Sequence, residues 1–342
     1  MTIKFLKRLM LLPKEEHIIN KRVSIRGLEV QLLSYTIEED ENRLWIMYED
    51  KDLLDVDPDD EYWREFRTNR EELLRKIEAN KINKYFHIKQ MEIQGQTVSF
   101  DSSTYGPLHD LNKKELMQLQ HFTEKGLIPS ELEEAPLRSL VMGSYVQVRD
   151  EDTPIIDATK DLSLKLHIGR DSKEILIQCP ITVKFGKQEI ETKVKYYDSS
   201  LGQEQYFYID EIYSFDPYED IIQKTERIED DKMREDILKH HIEALESICP
   251  RNKNLAVIKY ETTDNVQLNF MMKDYLDSEP IRHNSATSIG FISSTKEVGI
   301  NGNKVRECVL QTIDKDFNGN LEIELFSRYV EIPEQIIQCY YL

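Results

Sequence analysis

Cysteine is scarce: Cys179, Cys249, Cys308 and Cys339 stand far apart, and no two have the close spacing of a zinc knuckle or a redox pair. Reduced thiols packed as small apolar groups are the expectation. Glycine is thin as well, and its 12 scattered copies form no phosphate loop, dinucleotide fingerprint or nucleophile elbow. No stretch approaches the roughly 18 apolar residues of a membrane span. Leu9 to Leu12, behind Lys4, Lys7 and Arg8, is too short for a signal-peptide core, so the cytoplasm is the expected location. Positive charge is in deficit. The formal net charge is −19, and Arg251 to Leu342 carries 10 basic against 13 acidic residues, so most of the acidity lies before it. Such a surface repels phosphate backbones and anionic lipid, and neither nucleic acid nor membrane is expected as a partner. A basic protein partner fits the charge better.

What the chain does hold is enough apolar and aromatic material to fold. The 12 Phe, 17 Tyr and 2 Trp are spread along 342 residues, a length that favours two or three domains. Val23 to Ile37 and Arg43 to Tyr48 read as a strand pair around the acidic turn Glu38 to Glu41. Asp57 then caps a helix with Pro58 at its first position and Tyr62, Phe66, Leu73, Leu74 and Ile77 at near-helical spacing, ending about Ala79. Lys84 to Ile93 and Gln96 to Phe100 form a hairpin about Gln94-Gly95, and Asn112 opens a helix that stops at Gly126. Ile128 to Ala135, with Pro129, Glu131, Glu133 and Glu134, reads as a linker. Beyond it Leu137 to Tyr213 is β-rich, and Lys187 to Tyr197 alternates as a strand with one wet face. Pro217 to Ile248 supplies one long helix with Ile221, Ile228, Met233, Ile237, Leu245 and Ile248 along its apolar stripe. Asn301-Gly302 and Asn318-Gly319 mark two hairpin turns, the second between arms Val305 to Ile313 and Leu321 to Val330.

These elements predict a multi-domain α+β fold of antiparallel sheets with packed helices and a long linking helix. The expected segments are an N-terminal α+β domain over 1–130, a β-rich middle domain over 131–217, the linking helix over 218–249, and a C-terminal β-rich α+β domain over 250–342.

Val194-Lys195-Tyr196 aligns without a gap on Ile258-Lys259-Tyr260, bringing Tyr206, Phe207 and Asp210 onto Phe270, Met271 and Asp274. Ile168-Gly169 and Lys173-Glu174 match Ile289-Gly290 and Lys296-Glu297 only at other offsets, so one duplication does not account for both; alternating hairpins resemble one another by construction. Ile289-Gly290-Phe291-Ile292-Ser293-Ser294, followed by Gly302-Asn303-Lys304-Val305, resembles the short strand pairs of small bacterial α+β domains found among toxin-immunity proteins. Met271-Met272-Lys273-Asp274 after the Lys259-Tyr260 hairpin looks like part of the same group. The resemblance is confined to the C-terminal part and implies partner binding rather than catalysis.

Four patterns could carry chemistry. Asp314, Asp316, Asn318 and Gly319 match the first half of a calcium loop, where alternate oxygens ring the ion. Leu325 stands where the bidentate Glu should be, so the stretch reads as a hairpin turn. Asp236 lies one turn before His240 on the long helix, a setting that would raise the imidazole pKa, while His241 falls near the apolar stripe and is expected to be packed. Glu191 and Lys193 have the Glu-x-Lys spacing of some metal-dependent nucleases, which needs a further acid on a neighbouring strand. Asp55, Asp57 and Asp59 are explained by helix capping. No cofactor is expected. The reading that fits best is a non-enzymatic protein-binding protein using an acidic surface, with Glu49, Asp50, Asp52 and Asp55 as part of the contact. The alternative is a metal-dependent hydrolase assembled from Glu191, Lys193, Asp236 and His240.

Overall fold

A computed structural model describes residues 2–55, 66–82, 86–109, 112–157, 159–263, 266–281 and 297–339, without the side chains of 55, 79–82 and 189–191. The fold is mainly β: antiparallel sheets with helices added. Two compact units share the chain, Met1–Arg64 with Glu78–Asp171 and Ile332–Leu342 in the first, Glu65–Ile77 with Ser172–Glu331 in the second. Both are discontinuous, a partition different from the consecutive segments expected.

The first unit is built on an eight-stranded sheet from β1 (Glu15–Ile25), β2 (Leu28–Ile37), β3 (Asn42–Glu49), β4 (Ile88–Ile93), β5 (Gln96–Pro107), β6 (Leu140–Gln147), β7 (Leu164–Ile168) and β15 (Gln335–Cys339), in the order β1-β2-β3-β6-β5-β4-β7-β15. The sheet curls until its edges nearly meet. Arg26, just past the end of β1, donates its backbone N–H to Gln335 Oε1 of β15 at 3.2 Å, and its guanidinium donates to Gly169 O and Asp171. Tight turns join neighbouring strands of the sheet. Arg26-Gly27 and Gln94-Gly95 all have positive φ, the conformation that two-residue hairpin loops need. The first splits the expected 23–37 strand into β1 and β2.

β3 is apolar without alternation because both its faces are buried. Leu44, Ile46 and Tyr48 face the barrel interior with Phe86 and Tyr145, while Trp45 and Met47 face a second core with Phe122, Ile128 and Leu132. That second core is completed by α3 (Lys113–Glu124), the short α4 (Ser130–Glu133) and Leu11, while the preceding helix α1 (Ile3–Leu9) packs on α3 without burying a residue. Residues 128–135 are therefore core packing and not the expected linker: Ile128 and Leu132 bury their side chains, and two prolines merely turn the chain around them.

The second unit is a β-sandwich. Its four-stranded sheet has the order β13-β11-β10-β9, from β9 (Gly186–Asp198), β10 (Gln203–Phe215), β11 (Lys253–Thr262) and β13 (Lys304–Asp314). Its three-stranded sheet, β12-β14-β8, uses β8 (Asp171–Lys184), β12 (Gln267–Met272) and β14 (Asn320–Ile332). Phe207, Ile209 and Ile258 on one inner face meet Phe270, Ile323 and Leu325 on the other. The strands about Asn318-Gly319 exist, but they do not pair with each other. β13 pairs with β11 and β14 with β12, so this segment crosses between sheets. β9 and β10 likewise share one sheet whereas β11 and β12 lie in different ones, and the aligned repeats are not structural equivalents.

Helix α2 (Asn69–Ile82) covers the outer face of the three-stranded sheet, with Leu73 and Ile77 against Phe326. Arg70 clamps Glu324 in a bidentate pair at 2.7 Å on each arm. Phe66 precedes this helix, and the expected start at Asp57 lies outside the described residues. The expected long helix is two, α5 (Pro217–Thr225) and α6 (Asp231–Ile248). Asp230 caps α6 by accepting from Met233 N, which restarts the helix after a break. The pair folds back as a hairpin: Tyr218 Oη donates to Cys249 O at 2.6 Å, and Tyr218, Ile221, Leu238, Ile242 and Leu245 interlock. Met233 and Ile248 of the expected stripe are instead exposed, as is His241. A further short helix, α7 (Lys273–Asp277), follows β12. No described helix is long and apolar enough to cross a membrane.

Candidate functional site

The outer face of the four-stranded sheet gathers the most chemically distinctive side chains of the second unit. In β10 the buried Phe207, Ile209 and Ile212 alternate with Tyr206, Tyr208 and Asp210, so the period of two that fills the core also sends two tyrosines and a carboxyl outward. Register aligns Lys193 of β9, Tyr208 of β10 and Glu261 of β11 in one cross-strand row, with Lys195 opposite Tyr206. Lys193 leans diagonally: its ammonium lies 3.8 Å from the Tyr206 ring centroid and 5.8 Å from that of Tyr208. The two rings are 5.7 Å apart and nearly perpendicular. A cation over an aromatic face is held by the ring quadrupole, at about 0.5–1 kcal/mol in an exposed setting.

Toward β13 the same face is roofed by a loop built on a buried carboxylate. Glu261 is fully buried and accepts from Asn301 N and Asn301 Nδ2 at 3.1 Å and from Asn303 N at 3.0 Å. Gly299 packs so closely on the Glu261 carboxylate that a Cβ there would overlap it. Asp210 comes in from the side. It is the unpaired residue of a β-bulge, skipped in the registers with both β9 and β11, and a bulge re-aims one side chain out of the ladder. Its carboxyl hydrogen-bonds Glu261. Burial first, then the charge and hydrogen bond of Glu261, push its pKa up to about 6 against the opposing pull of Lys259. Lys259 itself pairs with Glu297 at 2.8 Å, and that bond holds its ammonium above the ordinary lysine range. At the far end of β9 the wholly buried Asp198 pairs with Arg328 and accepts from Ser200 N and Oγ, fixing the turn into β10.

The residues singled out from sequence fall elsewhere or apart. Lys193 is on this face, but the neighbouring strand presents it with tyrosine rings where the nuclease reading needs a carboxylate. The Glu191 side chain lies outside the described residues. Asp236 and His240 are exposed on α6, and His240 Nδ1 donates to the Asp236 backbone carbonyl at 2.7 Å rather than to its carboxylate. Asp50 is buried: its N–H donates to Ser139 O and its carboxylate accepts from Asp52 N. It shapes the 3₁₀ turn that follows β3 and offers no contact surface, while Glu49 is half-buried with Lys51 3.7 Å away and the Asp55 side chain lies outside the described residues. Asp314, Asp316 and Asn318 are exposed on the sheet-crossing turn, with Lys253 3.4 Å from Asp314. Among the described residues no three His, Cys, Asp or Glu side chains are grouped to hold a metal. All four cysteines are free, Cys249 and Cys339 buried and Cys179 and Cys308 half-buried, with burial pushing the Cys308 thiol up to about 11.

Sequence reasoning passed over Tyr206, Tyr208, Asp210 and Glu261 as functional residues. A signal was present in the Tyr-x-Tyr-x-Asp spacing of β10, but only the register discloses that Lys193 and Glu261 flank it. The chain matches no family model, no curated protein and no solved structure.

Proposed function

We propose that the protein is a binding module for another protein, and that the outer face of its four-stranded sheet is the contact surface. The observation that carries this reading is the Tyr206–Tyr208–Lys193 cluster. Tyrosine combines a large apolar ring with a polar tip at low entropic cost, which makes it a favoured anchor at protein interfaces. Here the rings are held in one place by the ladder and by the ammonium between them. Exposed Lys193 and Lys195 and the 61% exposed Tyr197 extend the cluster along the edge strand β9. Those lysines favour a partner presenting carboxylates and aromatic or apolar groups at this spot, whereas the −19 overall balance steers basic partners toward other parts of the surface. The immunity-type resemblance agrees with partner binding, although Ile289 to Ser294, which carry much of it, lie outside the described residues.

The hydrolase alternative draws less support. Lys193 sits on β9 while Asp236 and His240 sit on α6, and the described face offers Lys193 an aromatic environment in place of a metal.

Affinity capture with the wild-type chain and with a Tyr206→Ala/Tyr208→Ala variant from an extract of the source organism tests the proposal. Both side chains are half-buried at most, so the variant should keep its fold, which its Tm verifies. A stoichiometric protein captured by the wild type and lost by the variant supports the reading. Equal capture by both contradicts it.

A further inference from the structure

Helix α1 carries a feature that the overall charge conceals. Thr2 caps it, its Oγ1 accepting from Phe5 N, so the helix has a fixed start. At about 100° per residue, Ile3, Phe5, Leu6, Leu9 and Met10 occupy one arc of about 160°, and Lys4, Lys7 and Arg8 the opposite side. α1 packs on α3, yet none of its residues is buried. Leu6 and Leu9, at the middle of the apolar arc, are half-buried. The flanks stay bare: Ile3 is 75% exposed and Phe5 50%, and Leu12 just beyond is 57% exposed. The apolar arc is wider than the surface that covers it. Three cations without an acidic residue between Thr2 and Pro13 also run against the sign of the chain.

We propose that α1 docks on an anionic lipid surface, with Ile3, Phe5, Met10 and Leu12 entering the interface and Lys4, Lys7 and Arg8 facing the headgroups. Charge complementarity selects this occupant. Interfacial helices combine an apolar face bearing Phe and Leu with a Lys/Arg-rich polar face, and each basic side chain near an anionic leaflet adds attraction that decays within a Debye length. Exposed Lys113 and Lys114 open α3, the helix on which α1 packs, in one turn with Glu115 and with Glu38 near Lys114. At ~0.1 M salt the Debye length is about 10 Å, so acidic parts of the molecule farther away than that oppose the contact little.

Flotation of the full chain with phosphatidylcholine vesicles, with and without about one-third phosphatidylglycerol, tests this at ~0.1 M salt. The wild type is expected to float with the anionic vesicles only, and Phe5→Glu and the double variant Lys4→Glu/Lys7→Glu should each reduce the floated fraction at least tenfold while leaving Tm unchanged. No flotation with anionic vesicles, or undiminished flotation of Phe5→Glu, overturns the proposal. Capture of an acidic protein by the wild type but not by Phe5→Glu, without flotation, also overturns it and assigns the patch to a protein contact.

Discussion

Replacing Asp210 by Asn should flatten the pH dependence of stability. In the folded chain the Asp210 carboxyl holds its proton up to about pH 6, against 3.8 for the unperturbed group. The unfolded chain therefore releases that proton first. Between about pH 4 and pH 6 the folded state binds more protons than the unfolded one, so stability falls as pH rises through this window and levels off above it. A rise of about two units is worth about 3 kcal/mol at most. Asp210 is half-exposed, and solvent screening reduces the contribution to about 1–2 kcal/mol. Asn keeps a donor toward Glu261 and has nothing to titrate. Urea unfolding of both proteins at pH 4, 5, 6 and 7.5 isolates the pair, because all other groups cancel in the difference. Asp210→Asn should match the wild type near pH 4 and exceed it by about 1–2 kcal/mol at pH 7.5. Parallel profiles across the range would refute the proton-sharing argument.

Gly299→Ala should cost about 2–3 kcal/mol, because its Cβ overlaps the buried Glu261 carboxylate and forces apart a loop that satisfies it; thermal unfolding reads this directly. Asp198→Ala leaves the Arg328 guanidinium buried without its counter-charge, and a loss of about 3–5 kcal/mol in denaturant unfolding is expected. Leu132→Ala should lose about 2 kcal/mol or more if residues 128–135 are core, whereas a change below about 0.5 kcal/mol would be the behaviour of an exposed linker.

Much of the local structure was legible from the residues. Gln94-Gly95 announced its hairpin through the positive φ it needs, Asn112 and Gly126 bracketed α3, and the alternation of 187–197 gave β9. What failed was whatever depends on partners distant in sequence. The prolines and glutamates of 128–135 look like a linker until Ile128 and Leu132 are seen against Trp45 and Phe122. One apolar stripe over 217–248 is equally consistent with one helix or two, and the cap at Asp230 decides for two. Strands about Asn318-Gly319 were found, but their separation into different sheets is a matter of register with β11 and β12. A sheet brought nearly to closure by β15 and a unit completed by residues 65–77 follow from contacts that no local pattern encodes. The candidate face shows the same limit: each residue type was visible, but the row Lys193, Tyr208, Glu261 and the bulge at Asp210 exist only after three strands are set side by side.

The claim that the Tyr206–Tyr208 face binds a protein partner is tested most directly by photo-crosslinking. A photoreactive phenylalanine analogue placed at Tyr208, and separately at exposed His240 on α6 as a control, is irradiated in an extract of the source organism. The account predicts one discrete adduct from position 208 that is missing at position 240 and is competed away by unlabelled wild-type chain. An adduct at 240 alone, or none at 208 from a correctly folded chain, would contradict it.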